Sequence, residues 1–590
     1  MDTVGSGCMS CSIPGMEDAG CIFLFGYNPA DSHPIVARRI VRAKEKGCKI
    51  IVADPRHIET ARIADLYLPI KNGCNVAFLN AFANCLVNDG LYDKEFVAEH
   101  TNGFDEWWET IKNYTPESVQ DITGVEPALI HQAAEMYATA KPSAIIGWGM
   151  GVCQQKQNLK TVHTIASIAC VAGQIGKPNS GLAPVRGQNN VQGSCDMGML
   201  PNLYPGYQKV TDPAVRAKFA KAWGVPEEKL PLEEGYKLTD LGHLVDEGKV
   251  HCFYNYGEDP VQPDSAGMRK TLSELDLFIC QDIFMTQTTM LADVILPATS
   301  WGEHEGVFTA SDRSFQHFDA AVPPKGECRH DWEIFADLST RMGYPMHYDN
   351  TEQIWNECIS LCPNFVGATY EKMAPEGGYA QWPVKSTDVN DHGTPDMFAG
   401  GKFTTKDGRA NLMAHDWEAP SELPDDEYPL ILCTVREVGH YSCRSMTGNC
   451  KTLALLADEP GFVRMNPADA QARGIKNGDI VSIHSRRGQV YSRADVSDRI
   501  NKGTVYMTYQ WWIGKCNELT IHKVDPVSHT PEDKFSACQV DAIADQVWAE
   551  GEVERQYTEL KQALVDAAAP QDVEPGAAKF DDETHVNQIV

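Results

Sequence analysis

The chain has 590 residues, an apolar share of 43% that allows a sizeable core, 19 cysteines and a formal net charge of −30. Length predicts roughly three to five domains. The charge excludes a nucleic-acid scaffold, because neutralising phosphates takes a basic face, and it suits docking to a basic patch on a partner.

The first twenty residues lack the basic start and apolar core of a signal peptide. No apolar run of roughly 18 residues follows anywhere, so no membrane span is expected. Cysteines scattered through core-like segments predict buried thiols in a reducing, cytoplasmic setting rather than a disulfide framework. Cys8-Met9-Ser10-Cys11 has C-x-x-C spacing. A zinc or iron–sulfur site would need a second ligand pair at compatible spacing, and none follows, so incidental thiols are expected.

Cys21–Phe25 reads as a buried strand, and Gly26-Tyr27-Asn28-Pro29-Ala30-Asp31-Ser32 as its loop. Residues 34–46 read as an amphipathic helix, with Ser32 as N-cap and Gly47 as its stop. Lys49–Ala53 is the next strand, closed by Asp54-Pro55-Arg56, which completes a βαβ unit. A second unit starts at Ser143–Ile146, continues through Gly147-Trp148-Gly149-Met150-Gly151 and enters a helix near 155–172.

The stretch Pro184–Gly198 has neither helical nor strand periodicity. It carries three glycines, four amides and Arg186. Glycines admit close backbone approach, and amides with a guanidinium can surround an oxyanion. Further units begin at 250–255, before Gly257-Glu258-Asp259-Pro260, and at 277–280, before Gln281–Thr286. Alternating segments of this kind predict an α/β fold of doubly wound, mostly parallel sheets covered on both faces.

Composition changes near 420, where Pro420–Pro429 is acidic and linker-like. Mainly β sequence follows at 481–484, 490–496 and 504–509. A short helix is expected at 467–473, with Asn466 as cap and Pro467 at its first position. Asn477-Gly478 and Arg487-Gly488 are turn signals. A C-terminal β-barrel or related sandwich is expected. Residues from 566 onward are rich in Ala, Pro and acids and are expected to be a disordered tail. The resulting division is an α/β dinucleotide-binding domain at 1–188, the remainder of a second α/β domain at 189–300 and a mixed segment at 301–420. The barrel takes 421–565 and the tail 566–590.

Ligands of doubly wound sheets bind beyond the carboxyl ends of the strands. Several such loops rich in Gly, Asn, Asp and Gln imply an extended ligand. Asp54 and Asp282 sit at strand ends, where a carboxylate can hold a ribose diol or a guanine edge. A solvated turn aspartate is the plainer reading of each. Nicotinamide dinucleotides fit poorly, because no strand-to-helix turn matches G-x-G-x-x-G. G-x-S-x-G and H-E-x-x-H are absent too. The run Thr434–Asn449 combines Arg436, Arg444 and His440 with several hydroxyls, a set suited to pyrophosphate or pterin heteroatoms.

FGYNPADSHP, VADPR, GWGMG, PVRGQNNVQGSCDMG, GEDP, QDIFMTQT, ADVILPATSWGEHEG, TVREVGHYSCRSMTGN and TYQWWIGKCNELT resemble the loops of molybdopterin-dependent formate dehydrogenases of the formate-hydrogenlyase type. These are bis-molybdopterin guanine dinucleotide oxidoreductases with a DMSO reductase-like fold. The likeness runs from about residue 20 to 555. It implies that Arg186 orients formate beside a molybdenum or tungsten centre. It implies that Gly26, Asn28, Ser32, Asp54 and Arg56 contact one dinucleotide. It assigns Gly149, Met150, Gly151, Gln154, Gly257, Glu258, Asp259, Gln281, Asp282 and Thr286 to loops holding the cofactor pair. It gives Arg436, Glu437, His440, Tyr441, Ser442 and Asn517 to the capping domain. An iron–sulfur electron-transfer subunit or a hydrogenase is the implied partner. A nitrate reductase of the same superfamily and a non-catalytic cofactor-binding or assembly protein are the alternatives.

The likeness also implies parts this sequence does not contain. They are a Cys-rich segment for a [4Fe–4S] cluster, a lysine between cluster and pterin, and a metal-ligating selenocysteine or cysteine followed by histidine. Met1 aligns on the order of ten residues past that ligand. A selenocysteine codon, UGA, read as a stop would place a start here. The expectation is an N-terminally incomplete subunit, inactive when expressed alone, with no metal ligand of its own.

Overall fold

The computed structural model describes residues 1–262, 265–456 and 459–568. The tail expected from 566 lies, from 569 on, outside the described residues. A five-stranded, fully parallel sheet leads, in the order Leu66–Leu68, Lys49–Ala53, Cys21–Phe25, Ala144–Trp148, Gly181–Pro184. The central strand Cys21–Phe25 is buried along its whole length. Its side chains alternate between two cores, as the period of two requires. Phe23 and Phe25 join a core with the helices Asn75–Asn88, Pro127–Ala138 and Asn158–Val171. Ile22 and Leu24 meet Val36 and Ile40 of the helix Pro34–Glu45 on the opposite face. Phe23 stacks on Phe82 at 5.4 Å and Phe25 on Phe78 at 5.7 Å. Each such buried ring contributes on the order of 2–3 kcal/mol.

The entry to the helix at 34 differs from the expectation for Ser32. Pro29–Ser32 forms its own short turn, and Ser32 Oγ donates to the Asn28 carbonyl at 2.8 Å. The ring of Pro34 keeps the preceding residue out of the helical region. His33, at φ −144° and ψ 65°, therefore takes the cap position instead. Gly47 ends the helix with φ +100°.

A second parallel sheet has the order Val294–Pro297, Leu277–Asp282, Cys252–Tyr256. The hairpin Gly306–Thr309 with Ser314–Phe318 follows. Phe315, Trp355, Trp382 and Phe403 from this later stretch enter the core of the first sheet. Residues 430–542 close a six-stranded barrel in the order Leu430–Val435, Thr504–Thr508, Phe462–Met465, Gln489–Val496, Ile480–His484, Ser536–Ala542. Asn466 caps Pro467–Ala472, accepting from Ala468 N at 2.9 Å. A helix, Gln546–Ala568, packs Ala549 and Val553 against Ile480 and Ile513 at the barrel.

Candidate functional site

The carboxyl ends of the first sheet face the barrel across a cleft. Gly26, Asn28, Ser32, Asp54, Arg56, Gly149, Met150, Gly151 and Arg436 line it. Two strand-to-helix loops meet there without side chains between them. A Cβ on Gly151 would stand 2.6 Å from the Gly26 carbonyl oxygen, so glycine is required where the loops touch. Asp54, 8% exposed, turns one carboxylate oxygen to its own loop, accepting from Arg56 N at 2.9 Å. Burial raises its pKa against the pull of Arg56 and Lys534. The Arg56 guanidinium lies 5.5 Å from the Tyr506 ring of the barrel. Arg436 takes the same position over Tyr509.

Several lining residues escaped the sequence reading. Lys71, Asn72, Asn75, Tyr506 and Lys534 all border the cleft. Lys534 Nζ donates to the Thr434 carbonyl at 2.7 Å, and burial lowers its pKa. Asn72 sits in Lys71-Asn72-Gly73, whose composition signals a turn and nothing more. Gln154 turns to the barrel, donating to Asp533 Oδ2 at 2.7 Å, while its neighbour Gln155 lines the cleft.

The other sequence-selected residues gather elsewhere. Gly257, Glu258, Asp259, Gln281, Asp282 and Thr286 lie at the carboxyl ends of the second sheet. Asp259 accepts from Thr288 Oγ1 at 2.6 Å. Gln281 donates to Asp331 Oδ1 at 2.5 Å and accepts from Tyr254. Burial lifts Asp282 to a pKa of about 6, although Ile283 N and Phe284 N donate to it. The loop carrying Tyr441 and Ser442 descends onto this group, where Cys443 Sγ reaches the Asp259 carbonyl at 3.9 Å. Glu437 N donates to Gln510 Oε1 at 2.5 Å, and its carboxylate faces Arg464 at 3.5 Å. His440 is buried and bonds Thr447 Oγ1 at 3.0 Å, and burial and Arg444 lower its pKa. Asn517 is buried beside Cys516.

The loop is anchored by a buried ion pair. Arg444 Nη1 lies 2.6 Å from Glu459 Oε1, with both side chains almost wholly buried. The rings of Trp511 and Trp512 stand 5.0 and 5.4 Å from the guanidinium.

Arg186 lies on the strand-end loop after Gly181–Pro184, between Val185 and Gly187, which line the cleft. Its backbone N donates to Ser311 Oγ at 2.9 Å, and its carbonyl oxygen stands 2.5 Å from His33 Nε2. Its Nε donates to Gln192 Oε1 at 3.3 Å. Gln192 is fixed in turn, donating to Asp196 Oδ1 and to the Tyr207 hydroxyl, both at 2.8 Å. Trp382 Nε1 donates to the other oxygen of Asp196 at 3.0 Å. Burial opposes charge on Arg186, yet Cys195, Cys8, Tyr207 and Asp196 around it keep it protonated. Burial also lifts Asp196 to a pKa of about 7, against the bonds from Gln192, Tyr207 and Trp382. Cys8, the first thiol of the C-x-x-C, belongs to this cluster, with Gln192 Nε2 3.2 Å from its sulfur. All 19 cysteines are free thiols.

This cleft suits a phosphate-bearing dinucleotide on several counts. Four cations (Arg56, Lys71, Arg436, Lys534) line it, and glycines bring two backbones to its edge. The Tyr27 hydroxyl and Asn28 Oδ1 are buried without a hydrogen-bond partner, which a polar ligand would supply. Residues 1–341 match the molybdopterin oxidoreductase family, and residues 430–537 match the molydopterin dinucleotide binding domain. The chain belongs to the molybdopterin oxidoreductase family, an enzyme family whose cofactor is the molybdopterin guanine dinucleotide.

Within that family its relatives include formate dehydrogenases. It is 55% identical to formate dehydrogenase H of Escherichia coli strain K12, over 96% of this chain and 79% of the relative. It is 41% identical to the F420-dependent formate dehydrogenase 1 subunit alpha of Methanococcus maripaludis, over 91% of this chain and 79% of that one. Among solved structures, acetylene hydratase from Pelobacter acetylenicus shares the fold. Its TM-score is 0.71 at 20% identity, covering 91% of this chain and 80% of that one. No helix among the described residues is long and apolar enough to cross a membrane.

Proposed function

We propose that the chain catalyses HCOO⁻ → CO₂ + H⁺ + 2e⁻, or its reverse, with Arg186 as the residue that binds and orients the carboxylate. One observation carries the reading. The backbone and Nε of Arg186 are tied to Ser311, His33 and Gln192, which leaves its two Nη groups for a small anion. A planar guanidinium suits a bidentate carboxylate better than a point charge does. When bound, the molybdenum or tungsten centre of the bis-molybdopterin guanine dinucleotide supplies the two-electron chemistry.

In this reading Arg56, Arg436 and Lys534 would meet pyrophosphate oxygens. Asp54 would hold a ribose or guanine edge of the same dinucleotide, with Gly26, Asn28, Ser32, Gly149, Met150 and Gly151 shaping its bed. Gly257, Glu258, Asp259, Gln281, Asp282 and Thr286 would serve the second dinucleotide. Glu437, His440, Tyr441, Ser442 and Asn517 would close over the pair. Gln154 would brace the sheet against the barrel. The enzyme works in the cytoplasm, and electrons leave through an iron–sulfur subunit or a hydrogenase partner, for which the net charge of −30 favours a basic docking face.

The test uses enzyme purified from its native host, with viologen dyes and either formate or nitrate. Formate-dependent dye reduction is the expected result; nitrate-dependent dye oxidation without formate turnover would overturn the reading.

A further inference from the structure

We propose that Cys85, Asp89 and His131 form a zinc-binding site on the outer helical layer, apart from the cofactor cleft. Cys85 lies on the helix Asn75–Asn88, and Asp89 is the residue that ends it. Their spacing of four places them one above the other on the same helical face. His131 comes from the neighbouring helix Pro127–Ala138. One ligand atom from each lies within 4.8 Å of the other two. Tetrahedral zinc, with bonds of about 2.0–2.3 Å, holds its ligand atoms roughly 3.3–3.8 Å apart. Closing onto a metal therefore shortens these separations by about 1–1.5 Å at most.

The donor set selects the ion. Thiolate, imidazole and carboxylate together favour zinc over magnesium or calcium, which take oxygen ligands. A thiolate and a carboxylate balance a divalent charge, and three protein ligands leave a fourth position open. Access comes from solvent, because the side chains of His131 and Asp89 are 40% and 35% exposed while Cys85 is buried beneath them.

The electrostatics of the site also ask for a cation. Asp89 stands at the carboxyl end of a 14-residue helix, where the helix dipole is already negative. Glu117 adds a further negative charge toward the Cys85 sulfur. His131 Nδ1 meets Asp89 Oδ2 at 2.6 Å, which brings two of the three donors together before any metal arrives. Asn75, at the other end of the same helix, lines the cleft. Ten residues at 1.5 Å each separate it from Cys85 by about 15 Å, so the metal would fix the far end of a helix that begins at the cofactor.

The test compares the purified enzyme with its His131→Ala, Asp89→Asn and Cys85→Ser variants after chelator treatment and dialysis. The first two change exposed side chains and are expected to fold normally. Zinc is titrated against a chromophoric chelator, and cobalt is added as a spectroscopic probe. The wild type should bind about one zinc more than each variant, with apparent affinity reduced on the order of 100-fold or more in His131→Ala. Cobalt should give a thiolate charge-transfer band that Cys85→Ser lacks. Equal zinc uptake and identical cobalt spectra in wild type and His131→Ala would overturn the proposal, leaving a core thiol beneath an ordinary surface ion pair.

Discussion

His33 Nε2 stands 2.5 Å from the carbonyl oxygen of Arg186, across 153 residues of sequence. The first strand-to-helix loop thus holds the backbone of the arginine. The other ring nitrogen of His33 bonds Ser32 Oγ at 2.8 Å, so the histidine couples the loop at 26–32 to Arg186. Burial lowers the His33 pKa, and Nε2 donates to the Arg186 carbonyl oxygen.

Replacing Arg186 by lysine keeps the charge and removes the planar fork. In enzyme from the native host, kcat/KM for formate should fall on the order of 100-fold, about 3 kcal/mol of transition-state stabilisation. Cofactor content, measured as metal and released guanosine monophosphate, should not change. A kcat/KM within a factor of two of the wild type would remove Arg186 from the reaction.

Asp196 links pH to stability through a definite sign. Its carboxyl has an ordinary value of 3.8 and a value of about 7 in the fold. Between these the folded state holds a proton that the unfolded state has released, so stability from this group falls as pH rises from about 4 through about 7. The full loss is on the order of 4 kcal/mol. Asp196→Asn cannot ionise. Denaturant unfolding at pH 5 and pH 8 should show wild type losing stability relative to the variant at the higher pH; a constant gap would contradict this.

The Arg444–Glu459 pair is buried on both sides. Breaking one partner leaves an uncompensated charge and costs about 3–5 kcal/mol. Glu459→Gln should therefore destabilise the barrel strongly, while a paired Arg444→Met, Glu459→Leu variant should recover most of the loss. The measurement is urea unfolding followed by tryptophan fluorescence, since Trp511 and Trp512 flank the guanidinium. A milder effect in the single variant than in the double one would count against the argument.

Lys534→Met keeps length and removes charge from the cleft wall. The purified variant should carry less guanosine monophosphate per chain than the wild type, with the difference in affinity narrowing as salt screens the lysine's attraction. Equal nucleotide content at all salt concentrations would show that Lys534 does not face a phosphate.

The strand Cys21–Phe25 was readable from its apolar run, and its neighbour Lys49–Ala53 likewise, because both are buried on two faces and carry no competing signal. Ser32 misled because capping preference is local, whereas Pro34 decides which residue stands outside the helix. Lys534 escaped because a lysine in a polar stretch reads as solvated, and only barrel closure carries it inward. Gln154 and Gln155 differ by one position and face different ways, a distinction no composition argument reaches. That the loops at 26–32 and 149–151 share one cleft, while those at 257–259 and 281–286 form a separate group, follows from the division into two sheets.

The cleft has a consequence for the order of synthesis. Gly26 and Asp54 of its first wall leave the ribosome before the linker at 420–429, whereas Tyr506 and Lys534 emerge after it. A nascent chain stalled at the linker offers a dinucleotide one wall and none of the barrel cations. Loading of both walls must then wait until the barrel has been made.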